Sequence, residues 1–79
     1  MIYAYILKSL KDGGYYVGIS KNVVERLRKH NSGSVRSTKS RRPFEVVLSE
    51  QYDSYTSARA REKELKAYKG GVQLKELVK

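Results

Sequence analysis

The chain has no cysteine and no tryptophan, and only one proline, one histidine, one methionine and one phenylalanine. Without cysteine there is no disulfide, no thiolate-held zinc and no thiol nucleophile. A single histidine excludes a histidine-based metal cage. Long apolar runs are missing too: the longest stretch free of charge, Gly13 to Ser20, falls far short of the ~20 residues that span a bilayer. No secretory pattern opens the chain, since Met1-Ile2-Tyr3 leads straight into strand-like sequence. A soluble, cytoplasmic protein with no membrane role is expected.

Acid is the other scarcity. Eight Asp and Glu stand against 17 Lys and Arg, a net charge of +9 on 79 residues. That length suits one small domain over residues 1–79, with a modest core. So large an imbalance points to a polyanionic partner. The charge is also uneven. Residues 21–44 carry Lys21, Arg26, Arg28, Lys29, Arg36, Lys39, Arg41 and Arg42 against the single acid Glu25, whereas 44–53 carries three acids and no base. The positive field therefore belongs to one helix-and-loop segment, and a merely solvated lysine-rich surface is the plainer alternative.

Ile2 to Leu7 is rich in β-formers and reads as a strand. Lys11-Asp12-Gly13-Gly14 is a turn signal, and Tyr15 to Ile19 reads as the second strand of an antiparallel hairpin. Gly18 inside that strand marks a bend or a close approach of another group. Ser20 or Asn22 can cap a helix to about Asn31 that Gly33 stops, with Val23, Val24 and Leu27 as its apolar stripe. Residues 32–42 have no period and read as a basic loop. Phe44 to about Tyr52 is a third strand, and a second helix opens near Ser54, Thr56 or Ser57 and lasts to about Lys69. Leu74, Leu77 and Val78 sit at helical spacing for a short third helix. The order is ββαβα with that short terminal helix, an α+β fold.

Three residue types could carry chemistry. Glu62 lies about 20° from Tyr55 toward Ala58 and Leu65 on the second helix, at 100° per residue. That is the middle of the face, Tyr55 included, that should be buried, so a carboxylate there needs a cation to satisfy it, and one Mg²⁺ needs few protein ligands. An exposed Glu62–Lys66 pair explains the same spacing equally well. His30 is the one side chain that titrates near neutrality, and it sits one turn beyond Arg26 on the same flank. A structural and a catalytic role both suit a histidine placed there. Seven tyrosines include Tyr3, Tyr5, Tyr15 and Tyr16 in the hairpin, where Tyr15 and Tyr16 face opposite ways. Packing accounts for most strand tyrosines, but a phenol beside Arg26 would be chemically different.

Tyr3-Ala4-Tyr5, then Tyr16-Val17-Gly18, then Arg26 and His30 on the next helix and Glu62 on the following one, resembles the GIY-YIG nuclease family. The segments Tyr15 to Gly33 and Ser57 to Lys66 carry the resemblance, which spans essentially the whole chain in the manner of small stand-alone bacterial members. The resemblance implies a three-stranded antiparallel sheet flanked by helices. It implies a metal-dependent endonuclease, most readily of DNA rather than RNA, in repair or recombination. Tyr5, Tyr16, Arg26, His30 and Glu62 fall on the family's catalytic positions, with Glu62 on the ligand of a single Mg²⁺ or Mn²⁺. Tyr3 stands where the first motif has its glycine, Ile19 where some members have lysine, with Lys21 nearest, and the tail offers Gln73 in place of an asparagine.

On that basis Lys21, Lys29, Arg36, Lys39, Arg41 and Arg42 are the expected phosphate contacts. Arg26 would stabilise the charged transition state, and Tyr16 would orient or deprotonate water, its proton passing to Tyr5, His30 or another water. A binding module with little catalysis, or a subunit of a larger nuclease whose partner protein supplies specificity, is the alternative. Glu64-Leu65-Lys66 matches the Glu-x-Lys of a different endonuclease family, but Glu64 points about 180° from Tyr55, toward solvent.

Overall fold

A computed structural model describes residues 1–68 and 76–77. Three strands, β1 (Ile2–Ser9), β2 (Tyr15–Ser20) and β3 (Phe44–Tyr52), form one antiparallel sheet in the order β2-β1-β3. Two helices, α1 (Val23–Ser32) and α2 (Tyr55–Ala67), complete the ββαβα order. The short helix expected around Leu74, Leu77 and Val78 lies outside the described residues apart from Leu77, as does Gln73.

β1 is the central strand and is buried along most of its length. Alternation sends its side chains to two cores. Tyr5 and Leu7 pack with Phe44, Tyr16, Val23 and Leu27 beneath α1, while Ile6 packs with Val17, Leu65, Tyr15, Val47, Leu48 and Tyr68 beneath α2. The sheet thus has a helix on each face, and neighbours Tyr15 and Tyr16 serve different sides, as the alternation requires. On the β3 side the register passes from Ile6–Leu48 to Leu7–Val46 and leaves Val47 as a bulge.

Local signals set the helix ends. Asn22 caps α1, its Oδ1 accepting from the Glu25 amide, and Gly33 closes it at φ 83°. Ser54 caps α2 by accepting from the Ser57 amide. Two apolar expectations are corrected. Val24 is 68% exposed, because α1 presents the Val23–Leu27–His30 flank to the sheet and Val24 lies a quarter-turn away. Tyr55 is 49% exposed, because α2 meets the sheet through Ala58 and Leu65, both fully buried, and small Ala58 lets the helix come close. The basic loop is also less irregular than its composition suggests. It holds a single 3₁₀ turn, Lys39–Arg41, preceded by a fully buried Thr38.

Candidate active site and basic cleft

Tyr5 is the floor of the site. It is buried to 1% exposure in the middle of β1, and its partner across the hairpin is Gly18. A β-carbon at residue 18 would lie 2.6 Å from Tyr5 Oη and 3.3 Å from Tyr16 Cε1. The glycine in β2 is therefore a close-approach glycine, and the group that approaches is a site tyrosine. The Arg26 guanidinium lies beside the Tyr5 hydroxyl without reaching hydrogen-bond geometry: Tyr5 Oη and Arg26 Nε are both buried and unpartnered. Burial pushes the Tyr5 phenol up, Arg26 pulls it partly back, and the nearby Tyr16 and Glu62 add to the rise. Tyr5 accordingly stays protonated at neutral pH.

His30 is fully buried. Its ring lies 4.7 Å from the Tyr16 ring and 6.0 Å from Phe44, tilted against both. Nδ1 is 2.8 Å from Thr38 Oγ1, while Nε2 is buried with no hydrogen-bond partner. Burial first, and then the charge of Arg26, hold its pKa below the ordinary 6.5, so the imidazole is neutral at neutral pH. Thr38 is a site residue that sequence reasoning missed. Its hydroxyl is eight positions from His30 in a segment without periodicity, and only the folded turn brings the two together.

Glu62 is half-buried at the flank of α2 and within electrostatic reach of Tyr5. Of the two readings of its spacing, the i,i+4 pair with Lys66 forms, at 3.3 Å. The neighbouring Arg61 clamps α2 to the sheet: its Nε donates to Glu50 Oε1 on β3 at 2.8 Å, and the same guanidinium meets Glu64. Arg61 is held more firmly protonated by these carboxylates, and Glu50 is held below its usual range by the Arg61 hydrogen bond. With Glu64 exposed and spent on Arg61, the Glu-x-Lys alternative has no site. Among the described residues no three His, Cys, Asp or Glu side chains cluster to form a metal cage. One half-buried carboxylate suits a hard ion such as Mg²⁺, which keeps most of its waters and takes phosphate oxygens, and it does not suit zinc.

The expected phosphate contacts separate into groups. Arg36, Lys39 and Arg42 line one cleft of about 480 Å³ together with Ser40 and Lys11. Lys11 was not expected there. The Ser9–Phe44 pairing carries the hairpin turn alongside residue 40, where Lys11 Nζ donates to the Ser40 carbonyl at 3.0 Å. Arg41 does not line that cleft: it is half-buried, with Nε donating to Asp12 Oδ2 at 2.9 Å and its guanidinium over the Phe44 ring. The reason is local charge balance: Asp12, fastened to the Gly14 amide, is the acid nearest the turn. Ser9 Oγ completes the brace by donating to the Arg41 carbonyl while accepting from the Lys11 and Asp12 amides. Lys21 lies elsewhere, in a smaller cleft of about 250 Å³ with Tyr3, Val23 and Ser49, and Lys29 is exposed on α1. No described helix is long and apolar enough to cross a membrane.

Comparison with known proteins places the chain in a family. Residues 1–71 match the GIY-YIG catalytic domain. A UPF0213 protein of Staphylococcus saprophyticus is 40% identical over 74 residues, covering 92% of this chain and 89% of the relative. A UPF0213 protein of Staphylococcus epidermidis is 42% identical over the same length, with the same coverage of each. The solution NMR structure of a UPF0213 protein from Bacillus halodurans superposes with a TM-score of 0.55 at 35% identity, covering 99% of this chain and 82% of that one. With the family model matched over most of its length and relatives of 40% identity or more along it, the chain belongs to the GIY-YIG family of nucleases.

Proposed function

We propose that the chain is a metal-dependent endonuclease that hydrolyses nucleic-acid phosphodiester bonds, DNA in preference to RNA, in a repair or recombination setting. One observation carries the reading. Among the described residues, the buried side-chain polar atoms without a hydrogen-bond partner are Tyr5 Oη, Arg26 Nε and His30 Nε2, all at one site. Each such atom costs about 1–3 kcal/mol of desolvation. A small domain sustains that cost where a ligand will supply the missing partners.

Glu62 would hold one Mg²⁺ or Mn²⁺, whose chemistry when bound is to neutralise charge building on the scissile phosphate. Arg26 offers its guanidinium to the non-bridging oxygens, and its buried position makes that attraction strong. Tyr5, held as a phenol, donates to the same phosphate. Tyr16 orients the attacking water, and the proton released passes to neutral His30, because Tyr5 is a poor acceptor. The Lys11, Arg36, Lys39 and Arg42 cleft holds the strand by its backbone.

The contact between Glu62 and Lys66 favours a second reading, a nucleic-acid-binding module without catalysis. Incubation with plasmid, branched DNA and RNA under Mg²⁺, Mn²⁺ or EDTA separates the two. Metal-dependent cuts that Glu62→Ala abolishes, with binding retained, support the nuclease. Binding without cleavage on every substrate supports the module.

A further inference from the structure

Thr38 stands at the N-cap position of the Lys39–Arg41 turn, where a threonine hydroxyl ordinarily accepts from a backbone amide. It makes no such bond. The side chain turns inward, is fully buried, and spends its hydroxyl on His30 Nδ1 at 2.8 Å. Its backbone is held on both sides, the amide donating to the Val35 carbonyl at 3.1 Å and the carbonyl accepting from the Arg41 amide at 3.0 Å. The ring therefore meets a fixed oxygen.

A hydroxyl has one proton to give. Thr38 Oγ1 also lies 3.4 Å from the Val35 carbonyl, which can only accept. With the hydroxyl proton directed there, Oγ1 is left to accept, and the hydrogen on the contact with His30 belongs to Nδ1. The opposite arrangement would put a hydrogen on Nε2. That N–H would be buried without an acceptor and would share the site with the positive Arg26, whereas a bare Nε2 lone pair is favoured by the same cation. The other groups around the ring are the Tyr16 phenol from β2 and the apolar Phe44 from β3. Neither offers His30 a carboxylate.

We propose that Thr38 is a positioning residue that holds His30 as the neutral Nδ1–H tautomer, leaving Nε2 as the site's built proton acceptor. The inference rests on the nuclease reading for the use of that base, but the tautomer itself can be read without any cleavage. Because His30 is the one histidine, long-range ¹H–¹⁵N correlation spectra of the whole protein report its two ring nitrogens without overlap. The wild-type protein at pH 7.5 should show a protonated Nδ1 and a pyridine-type Nε2. Thr38→Val, which keeps the shape and deletes the oxygen, should shift both nitrogens toward tautomer-averaged values, and Thr38→Ser should restore the wild-type pattern. A wild-type spectrum with the hydrogen on Nε2, or a Thr38→Val spectrum unchanged from wild type, overturns the proposal. The wild-type and serine spectra decide even where the valine variant does not fold. In single-turnover cleavage, Thr38→Val should lose roughly tenfold or more by admitting the wrong tautomer, with serine restoring the rate. Absent cleavage by the wild-type protein would sink the nuclease reading and leave the tautomer result standing.

Discussion

Replacing Gly18 by alanine tests the packing beneath the site. Gly18 has no left-handed backbone conformation, so on chain entropy alone a glycine-to-alanine change in this strand would stabilise by about 0.4–1 kcal/mol. The tertiary contact reverses the sign. The new methyl would lie 2.6 Å from Tyr5 Oη and 2.8 Å from Tyr5 Cζ, distances that a rigid ring must relieve by moving. Tyr5 has little room to move, since it is 1% exposed and packed with Leu7 and Phe44. Overpacking of this kind costs about 1–3 kcal/mol. For a domain of this size each kcal/mol lowers the melting temperature by roughly 4–8 °C. Gly18→Ala should therefore melt several degrees to roughly 20 °C below wild type in a circular dichroism scan. Tyr5→Phe removes the nearest atom, so the alanine penalty measured in the Tyr5→Phe background should shrink by about half or more, a coupling that a double-mutant cycle isolates. A Gly18→Ala protein as stable as wild type, or an alanine penalty unaffected by Tyr5→Phe, would refute the close-approach account of this glycine.

Tyr16→Phe keeps the ring and removes one oxygen, so the melting temperature should hold while single-turnover cleavage falls roughly 10²–10⁴-fold. Tyr15→Phe, on the α2 side of the same strand, is the control and should cut at the wild-type rate. Alanine at Lys11, Arg36, Lys39 or Arg42 should each reduce the salt slope of duplex binding by about one unit, equally on all sequences. Arg41→Ala should change that slope less and stability more, because Arg41 braces the hairpin turn through Asp12; equal slopes for Arg41 and Lys11 variants would argue against the division. Stability should fall with acid in two stages. Since the folded pKa of His30 lies below 6.5, the unfolded chain binds the extra proton first, and stability is lost as pH drops from about 6.5 toward the folded value. Glu50, lowered from 4.5 by Arg61, contributes stability above that pH which disappears as pH falls through its folded value. In denaturant titrations from pH 8 to pH 3, Glu50→Gln should flatten the second stage alone, and a curve with no loss of stability setting in below about 6.5 would count against the buried neutral His30.

Much of this protein was legible in its residue order. Asn22 and Gly33 bracket α1, Ser54 opens α2, and Lys11-Asp12-Gly13-Gly14 turns the hairpin, because caps and turns are satisfied by atoms a few residues away. Alternation alone sent Tyr15 and Tyr16 to opposite faces. The spacing of Tyr5, Tyr16, Arg26, His30 and Glu62 named the candidate site through its resemblance to a family, since no local rule distinguishes a catalytic tyrosine from a packed one. What only the tertiary structure decided depends on partners far along the chain. The register of β1 with β3 brought Lys11 to Ser40 and gave Asp12 to Arg41, so a hairpin lysine lines the basic cleft and a loop arginine pairs with the hairpin turn. The approach of α2 through Ala58 and Leu65 turned Tyr55 outward, against its place on the helical wheel. Burial of His30 against Thr38, across a loop with no period, chose which ring nitrogen is paired and which is left free. Sequence specifies the groups that each short segment can satisfy by itself, and the folded chain determines which charged and polar groups are left without a partner.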